Sequence, residues 1–120
     1  MFYPYEKVYL KDKKETGEHV ILNAYEYLDK ENEYQITDFY PHIHKESELI
    51  CVPDFHRVYI KRFKNELDLG EYVLSNVNHK RTFGRIIGRK YCYRTSRIQY
   101  ILDNGYCFFS SQLRVAKGGL

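Results

Sequence analysis

The chain has 120 residues, 43% of them hydrophobic, and a net charge of +3, which supports a packed core and excludes a wholly disordered chain. No apolar run is long enough to cross a bilayer, and the N-terminal residues lack a secretion signal, so we expect no membrane contact and a cytoplasmic location. Thirteen Tyr and seven Phe favour β-strands.

The first half of the chain is a series of short segments with alternating apolar and polar residues, separated by turn residues. This pattern is typical of antiparallel strands. The predicted strands are 7–10, 18–27, 33–39, 48–52 and 57–60.

The second half repeats this order with predicted strands at 71–74, 83–88, 97–102, 106–109 and 114–115. Asp103-Asn104-Gly105 predicts a tight hairpin turn before the fourth of them. The closing segments, 52–58 and 109–115, both run from a strand through a short polar stretch to Arg-Val. We therefore expect a 3₁₀ turn before the last strand of each half, at Pro53-Asp54 and at Ser110-Ser111.

Five short strands with such a turn before the last one resemble the SH3-like small β-barrels, including KOW and Tudor modules. The resemblance implies an all-β fold of two tandem five-stranded barrels packed together. We predict an acidic barrel over residues 1–63 and a basic barrel over residues 64–120. The alternative is a single larger β-barrel or sheet in which the repeat has no structural meaning.

Charge is distributed unevenly between the two halves. Residues 1–60 contain seven Lys/Arg and twelve Asp/Glu, a balance of −5, whereas residues 61–120 contain twelve and four, a balance of +8. The two halves are therefore expected either to have different partners or to face each other across an interface.

Basic and aromatic residues alternate in the segment between residues 79 and 97. Arg and Lys neutralise phosphates, and Tyr can stack on bases, so this segment predicts a nucleic-acid-binding surface. On this surface Arg85, Arg89 and Arg97 are expected to share one exposed face with Tyr91 and Tyr93. The alternative is that the charges are simply solvated and the aromatic rings fill the core. The candidate residues are Lys80, Arg81, Arg85, Arg89, Lys90, Tyr91, Tyr93, Arg94 and Arg97.

The acidic half has its own aromatic residues, which predict a second candidate site. Tyr offers a large contact area with little side-chain entropy to lose, so it is favoured at protein interfaces. The candidate protein-binding residues are Tyr25, Tyr27, Phe39 and Tyr40. Core packing is the alternative role for these rings.

Catalytic and cofactor motifs are not found. The sequence has no phosphate-binding Gly-rich loop and no nucleophile elbow, so we expect a protein that is not an enzyme and uses no cofactor. His42 and His44, with Cys51 and His56 further along, offer the types of atom that zinc accepts. Their spacing matches no zinc finger, which favours loop histidines without a metal.

Two functions follow as hypotheses. The first is a module that binds nucleic acid through its backbone, with low sequence specificity. The second is a phage-type effector that binds and inhibits a host protein. That partner would be a nucleic-acid-binding protein or a defence complex such as a CRISPR nuclease. A short chain and a residue usage that implies AT-rich codons favour this hypothesis. Because small barrels leave partly open edges, strand-edge pairing into a homodimer is a further hypothesis.

Overall fold

A computed structural model describes residues 1–37, 43–52, 67–92, 94–95 and 97–116. These residues form a ten-stranded antiparallel sheet, which confirms the predicted all-β class. The strands are β1 (Lys7–Leu10), β2 (Glu18–Tyr27), β3 (Glu33–Ile36), β4 (Ile43–Lys45), β5 (Leu49–Cys51), β6 (Tyr72–Val77), β7 (Lys80–Cys92), β8 (Ile98–Leu102), β9 (Cys107–Phe109) and β10 (Leu113–Val115). Single 3₁₀ turns lie at Lys14–Thr16, Glu46–Glu48 and Ser110–Gln112.

Strands β1–β5 form an N-terminal unit, and strands β6–β10 form a C-terminal unit with the same pairing. In the first unit the strand order is β5-β1-β2-β3-β4, and in the second it is β10-β6-β7-β8-β9. Equivalent residues are 65 positions apart in the first two strands, because Lys7 pairs with Val20 and Tyr72 pairs with Arg85. The repeat predicted from the sequence is therefore present in the backbone pairing.

The last part of the repeat is shifted relative to the prediction. The 3₁₀ turns Glu46–Glu48 and Ser110–Gln112 are 64 residues apart, and each leads directly into the last strand of its unit. In each turn the third residue caps the start, since the Lys45 amide donates to Glu48 and the Phe109 amide donates to Gln112. The predicted match of 52–58 to 109–115 is therefore wrong, and the predicted turn at Pro53-Asp54 and strand 57–60 lie outside the described residues.

The two units are joined by strand pairing between β2 and β7. Register runs from Asn23 opposite Cys92 to Tyr27 opposite Gly88, with Tyr25 opposite Lys90 at the centre. Tyr25 and Lys90 are themselves 65 residues apart, so equivalent positions of the two units face each other. The pairing thus has a local pseudo-twofold axis at Tyr25 and Lys90. The predicted boundary at residues 63 and 64 lies outside the described residues.

Each long strand contains an irregularity at the equivalent place. The register shifts between Ile21 and Asn23 in β2 and between Ile86 and Gly88 in β7. A bulge of this kind adds one residue to one strand and so reverses which side chains point inward beyond it. The inward side of β7 changes accordingly from Ile86 before the bulge to Arg89 after it.

Three tyrosines with no exposed surface lie in the core, namely Tyr34, Tyr91 and Tyr100. Each hydroxyl is hydrogen-bonded, as a buried polar group requires. The Tyr34 hydroxyl contacts Glu46, and the Tyr100 hydroxyl accepts from the Leu67 amide at 3.3 Å.

None of the helices within the described ranges is long and apolar enough to cross a membrane.

Candidate nucleic-acid interface

The predicted shared face of Arg85, Arg89 and Arg97 is not present. Arg85 lies before the bulge in β7 and points outward, whereas Arg89 lies after it and points into the core. Two residues that are four positions apart point to the same side of a regular strand, but the extra residue at the bulge reverses the alternation. This part of the prediction is therefore wrong.

Arg89 and Tyr91 form a buried polar cluster with Glu26 from the N-terminal unit. Arg89 is 8% exposed, and its Nε lies 3.3 Å from Oε1 of Glu26 as an ion pair, without the alignment of a hydrogen bond. The Tyr91 hydroxyl donates to the same oxygen at 3.0 Å. Burial, followed by the nearby Glu26 charge, raises the pKa of Tyr91, so the phenol remains a donor.

This cluster excludes two residues from direct contact with nucleic acid. Tyr91 has no exposed surface, and its ring meets the edge of Tyr3 at 5.2 Å, so no base can stack on it. The Arg89 guanidinium is already paired with the Glu26 carboxylate inside the protein. Both residues instead join the basic unit to the acidic one.

Two other predicted basic residues lie against aromatic rings of the C-terminal unit. The Lys80 ammonium donates to the Tyr106 hydroxyl at 3.3 Å. The Arg97 guanidinium carbon is 4.0 Å from the centroid of Phe109. Arg94 is exposed in the connection between β7 and β8, and Tyr93 lies outside the described residues.

The predicted protein-binding residues are divided between the β2–β7 junction and undescribed segments. Tyr25 is half-buried, with the Lys90 ammonium 5.5 Å from its ring centroid. Tyr27 is also half-buried, and burial together with Glu33 raises its pKa to about 12. Phe39 and Tyr40 lie outside the described residues.

Tyr27 forms one wall of an open groove on this junction. Its ring lies close to the Cα of Gly88, where an added Cβ would be 3.2 Å from Cδ1 of Tyr27. Ile87 and Ile101 line the same groove, with Lys30 4.1 Å from the Tyr27 ring centroid. Among the described residues, no feature of this groove indicates which kind of partner would occupy it.

A different surface of the C-terminal unit combines exposed arginines with exposed aromatic rings. We call it the basic–aromatic face. It consists of outward-pointing residues on three adjacent strands, β10, β6 and β7. The register places Arg85 opposite Tyr72, Phe83 opposite Leu74, and Arg114 on the other side of Leu74. Its members are Tyr72, Leu74, Arg81, Phe83, Arg85 and Arg114.

The two aromatic rings of this face are stacked and open to solvent. Tyr72 is 51% exposed and Phe83 is 42% exposed, which is unusual for side chains of this size. Their centroids are 5.8 Å apart, and their planes differ by 11°. The pair therefore presents flat apolar surface to solvent.

The arginines surround this aromatic pair. The Arg85 guanidinium carbon lies 5.8 Å from the Tyr72 centroid, and its Nε donates to the Gly70 carbonyl at 3.2 Å, which fixes the side chain. Arg81 and Arg114 are exposed, and neither has an ion-pair partner among the residues that the structure describes. Their charges are available to an anionic ligand.

A groove of about 460 Å³ borders the face beside Leu74 and Arg114. Its polar lining comes from Asn76 and from the 3₁₀ turn, through Ser111 and Gln112. The face and the groove are continuous because they share Leu74 and Arg114.

The sequence interpretation missed Tyr72 and Arg114, because their place depends on long-range pairing. Alternation within β7 places Arg81, Phe83 and Arg85 on one side, and this signal was readable. The pairing of β6 and β10 then adds Tyr72 and Arg114 to that side.

Only part of the zinc site considered from the sequence, His44 and Cys51, falls within the described residues. Across the described ranges, no group of three or more His, Cys, Asp or Glu side chains converges. His44 Nδ1 lies 3.2 Å from Oε2 of Glu48, and His42 and His56 lie outside the described residues.

Comparisons of the chain with protein-family models, with curated proteins and with solved structures give no match.

Proposed function

We propose that the protein is a non-catalytic nucleic-acid-binding module whose C-terminal unit contacts the phosphate backbone with little sequence readout. The observation that carries this proposal is the basic–aromatic face, where Arg81 and Arg114 are exposed without ion-pair partners among the described residues. Unpaired guanidinium groups on a sheet surface are suited to phosphate oxygens.

Electrostatics support the same assignment. The six side chains of the face include three arginines and no carboxylate. The balance of +8 over residues 61–120 adds a long-range attraction for a polyanion. Contacts of this kind recognise charge and spacing rather than base identity, so specificity is low.

We also propose that each five-stranded unit is a small SH3-like barrel and that the protein acts in the cytoplasm. Identical strand order in the two units and the 3₁₀ turn before each last strand support the barrel assignment. Barrels of this type present outward side chains on a rigid scaffold, which agrees with a binding role.

The test is a salt series of nucleic-acid binding, read by fluorescence anisotropy of a labelled random-sequence oligonucleotide. Arg81→Gln with Arg114→Gln removes two proposed phosphate contacts and should flatten the plot of log K against log salt by about 1.4 to 1.8 units. Lys13→Gln with Lys14→Gln is the matched control, because it removes the same charge from exposed positions of the N-terminal unit. Wild-type protein that binds no oligonucleotide at low salt, or equal losses in both variants, would contradict the proposal.

A second candidate function is binding to a host protein with an acidic surface, as a phage-type effector would do. Exposed Tyr and Arg favour it, because these residues are enriched where interfaces concentrate their binding energy. Pull-down from nuclease-treated bacterial lysate separates the two functions. A protein that remains bound after nuclease, and is lost from Arg81→Gln with Arg114→Gln but not from the lysine control, supports the second one.

A further inference from the structure

The exposed Tyr72–Phe83 pair distinguishes the basic–aromatic face from a simple cluster of positive charges. Phosphate contacts require only the arginines, and they serve duplexes and single strands alike. Tyr72 and Phe83 are 51% and 42% exposed, so their rings gain less stabilisation from apolar burial than core side chains do. Their exposed surfaces provide contact area that the arginines alone do not.

A flat aromatic surface fits the face of a nucleobase. In a duplex, both faces of each base are covered by its neighbours, so a ring on a protein surface can reach only edges and backbone. In a single strand the base faces are free, and stacking on Tyr or Phe is a main source of affinity. The stack therefore discriminates between the two forms of nucleic acid.

The positions of charge and ring also match a single strand. Arg85 lies opposite Tyr72 in the register, with its guanidinium carbon 5.8 Å from the Tyr72 centroid. Arg114 is separated from Phe83 only by Leu74. A base on the rings thus has a cation on either side of it to meet the flanking phosphates.

The neighbouring groove can accept the next nucleotide. Its volume of about 460 Å³ is sufficient for one nucleotide, and Asn76 and Ser111 provide polar groups at its lining. Because Arg114 belongs to both the face and the groove, a strand that leaves the rings meets the groove without crossing an acidic side chain of the face.

We propose that the ligand of this face is single-stranded nucleic acid, with an unpaired base stacked on Tyr72 and Phe83 and the adjoining nucleotide in the groove beside Arg114. This inference rests on the proposed nucleic-acid binding and specifies its class of ligand.

The experiment compares a labelled single-stranded oligonucleotide with its own duplex, using anisotropy at one fixed salt concentration. The variant is Tyr72→Leu with Phe83→Leu, since leucine keeps apolar contact between the strands but has no aromatic face. We expect its single-strand affinity to fall about tenfold or more, while its duplex affinity stays within about twofold of wild type. Tyr106→Leu is the control, because Tyr106 is an equally exposed ring, 47% accessible, that lies outside the face.

Circular dichroism confirms that each variant is folded before binding is measured. Equal wild-type affinity for single strand and duplex, or equal losses of both in the leucine variant, overturns the single-strand assignment while leaving phosphate binding intact. Absence of salt-dependent binding to either form overturns the proposed function itself, so the two failures are distinguishable.

Discussion

The two units carry opposite chemistry at equivalent surface positions. Where the C-terminal unit has Tyr72, the N-terminal unit has Lys7, and where the former has Phe83, the latter has Glu18. Lys7 and Glu18 form an ion pair at 3.8 Å, so this face of the N-terminal unit is locally neutral. The same strand pairing therefore supports a basic–aromatic surface in one unit and a self-neutralised surface in the other.

The inward positions, in contrast, carry the same types of buried residue in both units. Val8 corresponds to Val73 and Ile21 to Ile86, and all four are fully buried. The buried tyrosines Tyr34 and Tyr100 are likewise equivalent in the third strand of each unit. The comparison teaches that the inward residues maintain the fold of both units, while the outward residues of each unit are free to take on a separate function.

The largest expected effect comes from the equivalent core positions. Ile21→Ala and Ile86→Ala should each lower the free energy of unfolding by about 3 kcal/mol, because each removes fully buried methyl groups. Since β2 and β7 pair directly, we expect one unfolding transition in both variants, measured by circular dichroism in urea. Ile43→Ala, at a residue 52% exposed, should cost less than about 0.5 kcal/mol. Two separate transitions would show that the units fold independently.

The next effect concerns the ion pair between the units. Arg89→Met should lower the free energy of unfolding by about 2 kcal/mol, because it leaves the Glu26 carboxylate without its cation. The cost is below that of a fully buried pair because the Glu26 side chain is 23% exposed. Arg81→Met, at an exposed residue of the same strand, is the control. Similar stability losses in the two variants would refute a special role for Arg89.

A graft of the face tests whether outward residues alone determine binding. Lys7→Tyr, Glu18→Phe, Val20→Arg and Ile50→Arg together give the N-terminal unit the residues that the C-terminal unit has at the positions of Tyr72, Phe83, Arg85 and Arg114. We expect a second oligonucleotide bound per chain, with an affinity within about tenfold of the first. Titration with stoichiometric readout measures it, and an unchanged stoichiometry in a folded variant would indicate that the groove or a distant charge is also required.

The smallest effect is a difference in acid sensitivity between the units. Burial opposes ionisation of Glu46, but hydrogen bonds from Tyr34, the N-terminal ammonium and Asn32, together with the charge of that ammonium, outweigh burial and lower the pKa of this carboxyl below its usual value. Its stabilisation is thus present above the unfolded-state pKa of about 4.3 and is lost as the pH falls through the lower folded-state pKa. The equivalent residue in the C-terminal unit is Ser110, which has no charge to lose.

Glu46→Gln measures this contribution. At pH 7 the variant should be less stable than wild type by about 1 kcal/mol or less, and the difference should vanish once the pH falls below the lowered folded-state pKa of Glu46. Urea denaturation at several pH values provides the measurement. A stability difference that persists at low pH would mean that the carboxylate charge is not responsible.

Alternation and turn residues predicted much of this structure. The Asp103-Asn104-Gly105 turn lies between β8 and β9 as expected, with Gly105 at a φ of 88°. The bulge at Ile87 was missed although Gly88 directly follows it, and a glycine inside a strand often marks a bulge. The bulge decides that Arg89 points into the core while Arg85 points outward. Tyr72 and Arg114 were missed for a different reason, since neighbours across strands depend on register rather than on local sequence.

The pairing of Tyr25 with Lys90 has a consequence for any attempt to divide the protein. Cleavage of the chain between residues 52 and 67, followed by separation of the pieces, would leave residues 23–27 of one fragment and 88–92 of the other with bare amide and carbonyl groups. Each fragment would then carry an unpaired strand edge that can pair with a second copy of the same fragment. Isolated fragments should accordingly self-associate, and mixing them should restore the heterologous pair, because only that pair brings Glu26 and Arg89 together.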